Sequence, residues 1–322
     1  MKSNNLTKVL VAVLPVVLVF SILGTVIAAE VETRFLIKND EVFKKLISAD
    51  AKLEKLAGGL RFTEGPVWVS AGGDGYLIFS DIPANQLKKW SKIGGLVTFR
   101  EPSNNANGNT VDREGRLVTA EHSGRRISMT ERDGTVKTVV DLYRGKKLNS
   151  PNDVVVKSDG TIWFTDPPYG IKPEEKEQDG NYVFCYDPRK KELRVVAADF
   201  DRPNGLCFSP DEKLLYIADS GKPRHIRVFD VEADNILKNG RVFCRIDVGG
   251  PDGIRCDSLG NIWSSAGDGV HIFSTNGELV GKILVPETPA NLCFGGEDGK
   301  TLFITARASL YCIKTLVKSA VK

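Results

Sequence analysis

The feature that most constrains this chain is a repeat with a constant front edge. Residues 64–79 read EGPVWVSAGGDGYLIF, 107–120 NGNTVDREGRLVTA, 152–165 NDVVVKSDGTIWFT, 204–218 NGLCFSPDEKLLYIA, 252–265 DGIRCDSLGNIWSS and 290–305 ANLCFGGEDGKTLFIT. Each copy has a short front element, an apolar strand, a polar turn and a second strand. The front residues are Glu64, Asn107, Asn152, Asn204, Asp252 and Ala290, spaced 38 to 52 residues apart. That is the length of one four-stranded propeller blade. Further strand-like runs follow most hairpins, such as NYVFCYDP and LRVVAADF after the third. The last copy has only SLYCIKT before the chain ends, so it lacks a fourth strand. The segment AKLEKLAGGL at 51–60 precedes the first copy, where other blades have their outermost strand. The expected fold is therefore all-β: a six-bladed propeller of four-stranded antiparallel blades. An N-terminal strand closes the ring in the last blade and removes the open sheet edges.

The surrounding chain divides around this repeat. The uncharged run from Val9 to Ile27, behind two lysines and ahead of Ala28-Ala29, reads as a signal peptide with a small-residue cleavage site. Its length approaches a membrane span, so an uncleaved anchor over residues 9–27 competes with that reading. Either way the body is expected to be exported, to the periplasm or outside the cell. The expected organisation is 1–29 signal or anchor, 30–49 linker and short helix, and 50–322 catalytic propeller. A chain of 322 residues, 41% hydrophobic and 26% charged, can bury a large core without disulfides. Six cysteines sit in apolar strand-like runs with no CxxC pair, which reads as buried free thiols, with one or two disulfides as the alternative in an oxidising compartment. A net charge of +3 with no basic stripe argues against nucleic-acid binding. A membrane partner would come only through the N-terminal run, and a monomer or weak oligomer is expected.

In a propeller the innermost strands line a central channel, so the six front residues converge at one end of it. Two are carboxylates and three are amides. A polar ring holding ordered water is the plain alternative. Two nearby carboxylates repel unless a cation or a proton intervenes. Carboxylate and amide oxygens without Cys or His suit a hard cation, calcium first, with magnesium, manganese or zinc as other occupants. Asp153, next to Asn152, stands where most copies have glycine and is expected to be structural, turned from the axis. The ends of the second strands add Asp81, Glu121, His122, Asp166, Asp219 and Arg307. Most are read as turn caps. His122 and Arg307 are candidates for substrate binding, as are Asn107 and, two residues on, Asn109. The charged loop at 167–181 breaks the repeat and is read as a lid or a solvated surface loop. The chain has no GxSxG elbow, no HExxH and no Walker-type loop, which removes the usual nucleophile and phosphate-cradle readings.

The motifs EGPVW (64–68), FSDIPANQLKKW (79–90), LNSPNDVVV (148–156), FTDPPYG (164–170), RPNGLCFSPDEKLLYIADS (202–220) and PDGIRCDSLGNIW (251–263) resemble the gluconolactonase and senescence-marker-protein (SMP-30) family. The resemblance runs from about residue 60 to the end of the chain. It implies one divalent metal in the channel and hydrolysis of sugar lactones, notably D-glucono-1,5-lactone. In some members it extends to organophosphate esters. By position it implies Glu64, Asn204 and Asp252 as principal metal ligands and Asn152 as a fourth contact to metal or substrate. Asp252 also matches the general acid/base. Some members place an arginine two residues before the Asn152 position, where this chain has Ser150, so substrate orientation is expected to differ from the animal enzymes. The competing functions are a phosphotriester hydrolase on the same site and a non-catalytic ligand-binding propeller with a structural calcium.

Overall fold

Short, largely apolar strands form six blades in the computed structural model, which describes residues 29–70 and 75–320. Blade one is Thr63–Val69, Tyr76–Asp81, Gln86–Ser91 and Gly95–Arg100, hydrogen-bonded in that order from the axis outward. Blade two starts at Ala106–Val111, blade three at Val154–Val156, blade four at Pro203–Phe208, blade five at Ile254–Cys256 and blade six at Pro289–Gly295. All pairings are antiparallel. Blade six draws its three inner strands from the end of the chain. Its fourth, Leu53–Ala57, pairs with Ser309–Lys314, which closes the ring as the sequence predicts.

Residues 29–49 lie along the outside of the last two blades. Ala29–Glu30 pairs with Leu53–Ala57, and Arg34–Ile37 adds a fifth strand to blade five beside Leu279–Leu284. Between these edges and the closing strand lies the helix Asp40–Leu46. Asn39 caps it by accepting from Val42 N, and its acidic first and basic last turns suit the helix dipole. The edge strands cover backbone groups that would otherwise be open to another chain. The apolar run from Val9 to Ile27 lies outside the described residues. No helix among the described residues is long and apolar enough to cross a membrane.

The core sits between blades rather than within them. Leu77 and Phe79 of blade one pack with Phe303 and Leu310 of blade six, while Ile78 packs on Ala106 and Leu117 of blade two. In blade three, Ile162 and Phe164 face blade two, and Trp163 faces Leu206, Phe208 and Ile217 of blade four. Strand period two sends alternate side chains to opposite neighbours, and both are covered, so these strands read as continuous apolar runs. All six cysteines are free. Five are buried and Cys312 is half-buried. Burial pushes the Cys207 and Cys293 thiols up to about 12, so they behave as small core residues.

Candidate active site

The ring residues reach the axis because the strand ladder breaks where they stand. In blades one, two, four and six the register against the second strand shifts at the front of the inner strand. The shifts lie between Glu64 and Val67, Ala106 and Asn109, Pro203 and Leu206, and Pro289 and Asn291. In blades three and five the regular ladder begins only at Val154 and Ile254, two residues past Asn152 and Asp252. Bonds from blade to blade take its place. Gly108 N donates to Asn152 O (2.7 Å), Gly205 N to Asp252 O (3.1 Å) and Gly253 N to Ala290 O (2.8 Å). Hydroxyls from second strands donate to the next blade: Ser80 Oγ to Asn107 O (2.6 Å), Thr165 Oγ1 to Asn204 O (2.8 Å) and Ser265 Oγ to Ala290 O (2.7 Å). Inner strands approach so closely that a Cβ on Gly205 would stand 2.4 Å from Asp252 O. Glycine after the ring residue in blades one, two, four and five is therefore a packing requirement.

Side chains then link around the axis. Asn107 Nδ2 donates to Asn152 Oδ1 (2.6 Å), and Asn152 Nδ2 donates to Asn204 Oδ1 (2.7 Å). The Asn204 side chain in turn lies close enough to the Asp252 carboxylate to favour its charged form. On the far side Glu64 Oε2 accepts from Gly65 N (2.7 Å) and from Asn291 Nδ2 (3.0 Å), and no described protein donor engages Oε1. Glu64, Asn152, Asn204 and Asp252 are thus brought together, with Asn107 beside them. Ala290 is the one ring position without an oxygen. Asn291, one residue later, supplies the missing polar side chain to Glu64, and its Oδ1 accepts from Leu292 N (2.8 Å). Sequence reading passed over Asn291 because the repeat frame put alanine in the ring.

The site holds more negative charge than its surroundings neutralise. Burial raises the Glu64 carboxyl well above its ordinary value, and the carboxylates of Asp252 and Asp153 add to the shift. Burial, then Asp153, pushes Asp252 up to about 7, although it keeps an edge open to the channel mouth. Asp153 was expected to be a bystander. It does have a structural partner, since Arg255 Nη1 lies 3.3 Å from its Oδ2 with both side chains nearly buried. Its charge nevertheless raises both ring carboxylates, so it belongs to the electrostatics of the site. Arg255 sits just past the fifth repeat's front edge and has no counterpart in the other copies, so the repeat alone gave no signal for it. Three carboxylates and one guanidinium leave two negative charges over, which a hard divalent cation would balance. Among the described residues no three His, Cys, Asp or Glu side chains form a metal cluster. The candidate donor set is instead two carboxylates and two amides, and the unrelieved repulsion between the carboxylates is what fits it to a cation.

The second strands end at this same face, as antiparallel pairing requires. His122 joins the site: Nε2 lies 3.1 Å from Asn107 Nδ2 and 3.3 Å from Asn152 Oδ1, and burial lowers its pKa to about 4, so the imidazole is neutral. Asn109 does not join it. Its Nδ2 donates to Gly65 O, Ser80 Oγ and Asn107 O at 2.9 to 3.0 Å, which ties blade two to blade one, and its Oδ1 accepts from Thr119 within blade two. Arg307 is exposed in the turn after Thr301–Ala306 with φ 45°, and its carbonyl accepts from Thr63 N (2.7 Å). It stands on the rim and touches none of the ring residues. Asp81 and Asp219 cap turns through backbone amides, and Glu121 binds Arg100 and Arg126. Ser150 is fully buried. Its Oγ donates to Pro167 O and accepts from Gly170 N, both at 2.8 Å, so it holds the base of the 167–181 loop and offers nothing to a substrate. The loop is tied down further along by Arg125–Glu177 (3.3 Å) and by Gln178 Nε2 donating to Lys147 O (2.9 Å).

Residues 62–308 match the family described as the SMP-30/Gluconolactonase/LRE-like region. The chain is 35% identical to a gluconolactonase of Zymomonas mobilis, across 84% of this chain and 83% of that one. A solved gluconolactonase from Xanthomonas campestris superposes with a TM-score of 0.83 at 34% identity, covering 89% of this chain and 97% of that one. Regucalcin from Agrobacterium tumefaciens, a calcium-binding protein, shares the fold with a TM-score of 0.68 at 20% identity, covering 83% of this chain and 96% of that one.

Proposed function

The chain belongs to the SMP-30/gluconolactonase/LRE-like family, and from that premise we propose that it is a carboxylic ester hydrolase that opens sugar lactones with the help of one divalent cation. The observation that carries the reading is the pair of carboxylates from blades one and five, Glu64 and Asp252, both raised by burial and by nearby carboxylate charge inside a ring of amides. Glu64, Asn152, Asn204 and Asp252 would hold the cation, and calcium suits their oxygens best. When bound, the cation would polarise the lactone carbonyl and acidify water.

The protein's own groups handle the proton. The Asp252 carboxylate accepts it from the water whose oxygen bonds to the carbonyl carbon. It returns that proton to the ring oxygen as the acyl C–O bond breaks, which leaves a hydroxy acid. The amide of Asn204, beside Asp252, favours the charged form of that carboxylate. Neutral His122 and the Asn107 amide can hydrogen-bond the substrate without adding a positive charge that would compete with the cation. A lactone is an activated ester, so no separate nucleophile is required. The apolar run at residues 9–27 supports an exported enzyme.

The test is hydrolysis of D-glucono-1,5-lactone by purified protein, with calcium, with chelator, and after calcium is restored. Turnover should vanish with chelator and return with calcium, and Asp252→Asn should lose at least about a hundredfold in kcat. Full activity in chelator would sink the metal reading, and no lactone turnover by the calcium-loaded wild type would sink the lactonase reading.

A further inference from the structure

We propose that Tyr169 is the substrate-orienting residue of this site: its phenol hydroxyl reads the hydroxyl groups of the lactone and selects polyhydroxylated rings over unsubstituted ones. The proposal rests on the lactonase reading and names a residue that neither the repeat nor the ring identified.

Four observations converge on it. Tyr169 is 39% exposed, an aromatic side chain left at the channel mouth rather than in any core cluster. Its neighbour Gly170 lies against His122 and its ring lies under Arg202, two residues before Asn204; burial and then the Asp252 carboxylate raise the phenol above its ordinary value, while the nearby Ser220 and Asn204 side chains oppose that rise. The phenol thus stands beside the proposed acid/base and one of the proposed ligands. The turn that carries it is held from two sides. The single buried Ser150 hydroxyl bonds both Pro167 O and Gly170 N, and Gly170 packs so tightly on His122 that a Cβ there would approach His122 Cβ to 2.5 Å. Finally, the Arg202 guanidinium stands over the Tyr169 ring, 5.4 Å from its centroid, and no carboxylate lies within ion-pair distance of it among the described residues. A cation over an aromatic face holds the ring in orientation from the solvent side.

The geometric consequence is direct. A lactone whose carbonyl sits over the ring of oxygens must place its substituents against the mouth, where Tyr169 forms one wall. A phenol both donates and accepts, so it can pair with a sugar hydroxyl while its ring covers the C–H face. A site that pairs with a substrate hydroxyl discriminates strongly against the analogue that lacks it.

The experiment compares kcat and KM of the calcium-loaded protein on D-glucono-1,5-lactone and on δ-valerolactone, for wild type, Tyr169→Phe and Tyr169→Ala. Tyr169→Phe keeps the ring and its stacking on Arg202 and removes only the hydroxyl. It should raise KM for gluconolactone by about tenfold with kcat within about twofold, and leave δ-valerolactone unchanged. Tyr169→Ala should raise KM for gluconolactone further. An unmoved KM in Tyr169→Phe, or a parallel loss on both lactones, would overturn the assignment while the lactonase reading stands. Absence of turnover of either lactone by the wild type would remove both.

Discussion

Replacing Asp252 by asparagine should stabilise the metal-free protein and remove most of the stabilisation that calcium gives. In the metal-free protein Asp252 is pushed from 3.8 up to about 7. A carboxyl whose folded pKa is raised binds its proton more tightly in the folded state. Its contribution to stability is intact below the unfolded value and is lost as pH climbs through the folded one. Metal-free wild type should therefore weaken between about pH 4 and pH 7 and level off above. The shift of roughly three units corresponds to ~4 kcal/mol at pH 8. That figure is a ceiling, because Asp252 keeps an edge toward water. The loss between pH 5 and pH 8 should be about 3 kcal/mol by the same linkage. Asp252→Asn removes the charge, so in chelator at pH 8 the variant should be more stable than wild type, by up to ~4 kcal/mol. Saturating calcium narrows that gap. Calcium at a hundred times its dissociation constant should stabilise wild type by about 2.7 kcal/mol and the variant far less. Urea unfolding of both proteins at pH 5 and pH 8, in chelator and in calcium, reads all four quantities. If metal-free wild type is as stable at pH 8 as at pH 5, or the variant is no more stable than wild type in chelator, the repelling-carboxylate argument is wrong.

Three further outcomes follow from other contacts. Arg255→Met strands the buried Asp153 carboxylate and should cost about 3–5 kcal/mol in denaturant unfolding. The double variant with Asp153→Asn should recover most of that loss, and a double variant as unstable as the single would show that the pair is not what Arg255 supplies. Gly170→Ala forces a Cβ against His122 and should cost about 1–3 kcal/mol while lowering kcat/KM, read by unfolding and by lactone kinetics on the same preparation. Thiol titration of the native protein should find five cysteines unreactive until denaturant is added and Cys312 slow, because burial pushes its thiol up to about 12. Two or more fast thiols would contradict the packing between blades.

Blade number, ring closure and the convergence of Glu64, Asn107, Asn152, Asn204 and Asp252 were legible because each repeats a local pattern at blade spacing. What the sequence concealed is what occurs once. Arg255 has no counterpart in the other copies, and Asn291 lies one residue out of frame. Asn109, two residues after Asn107 at the strand period, reads as a further substrate-binding candidate. The register shift between Ala106 and Asn109 breaks that period, so the two side chains do different work. Ser150, where some family members place an arginine, reads as a change in substrate orientation. Its burial turns it into the clamp of the turn that carries Tyr169, a role that depends on a loop outside the repeat.

The breaks in the ladder explain why the ring carries poor strand formers at all. A regular strand would place residue and neighbour on opposite faces of the blade, toward one adjoining blade or the other, and never toward the axis. The four register shifts and the two late ladder starts turn the front residue out of that alternation. β-Branched side chains gain nothing there, since the cross-strand neighbours that favour them are missing. The backbone groups released by the breaks would be unsatisfied in a buried channel. They are recovered by the glycine amides and by the hydroxyls of Ser80, Thr165 and Ser265, each reaching into the next blade. The polar ring and the bonds that fasten one blade to the next are therefore one construction. A ring substitution that keeps size and polarity should spare the fold, whereas loss of a second-strand hydroxyl should loosen the ring without touching it.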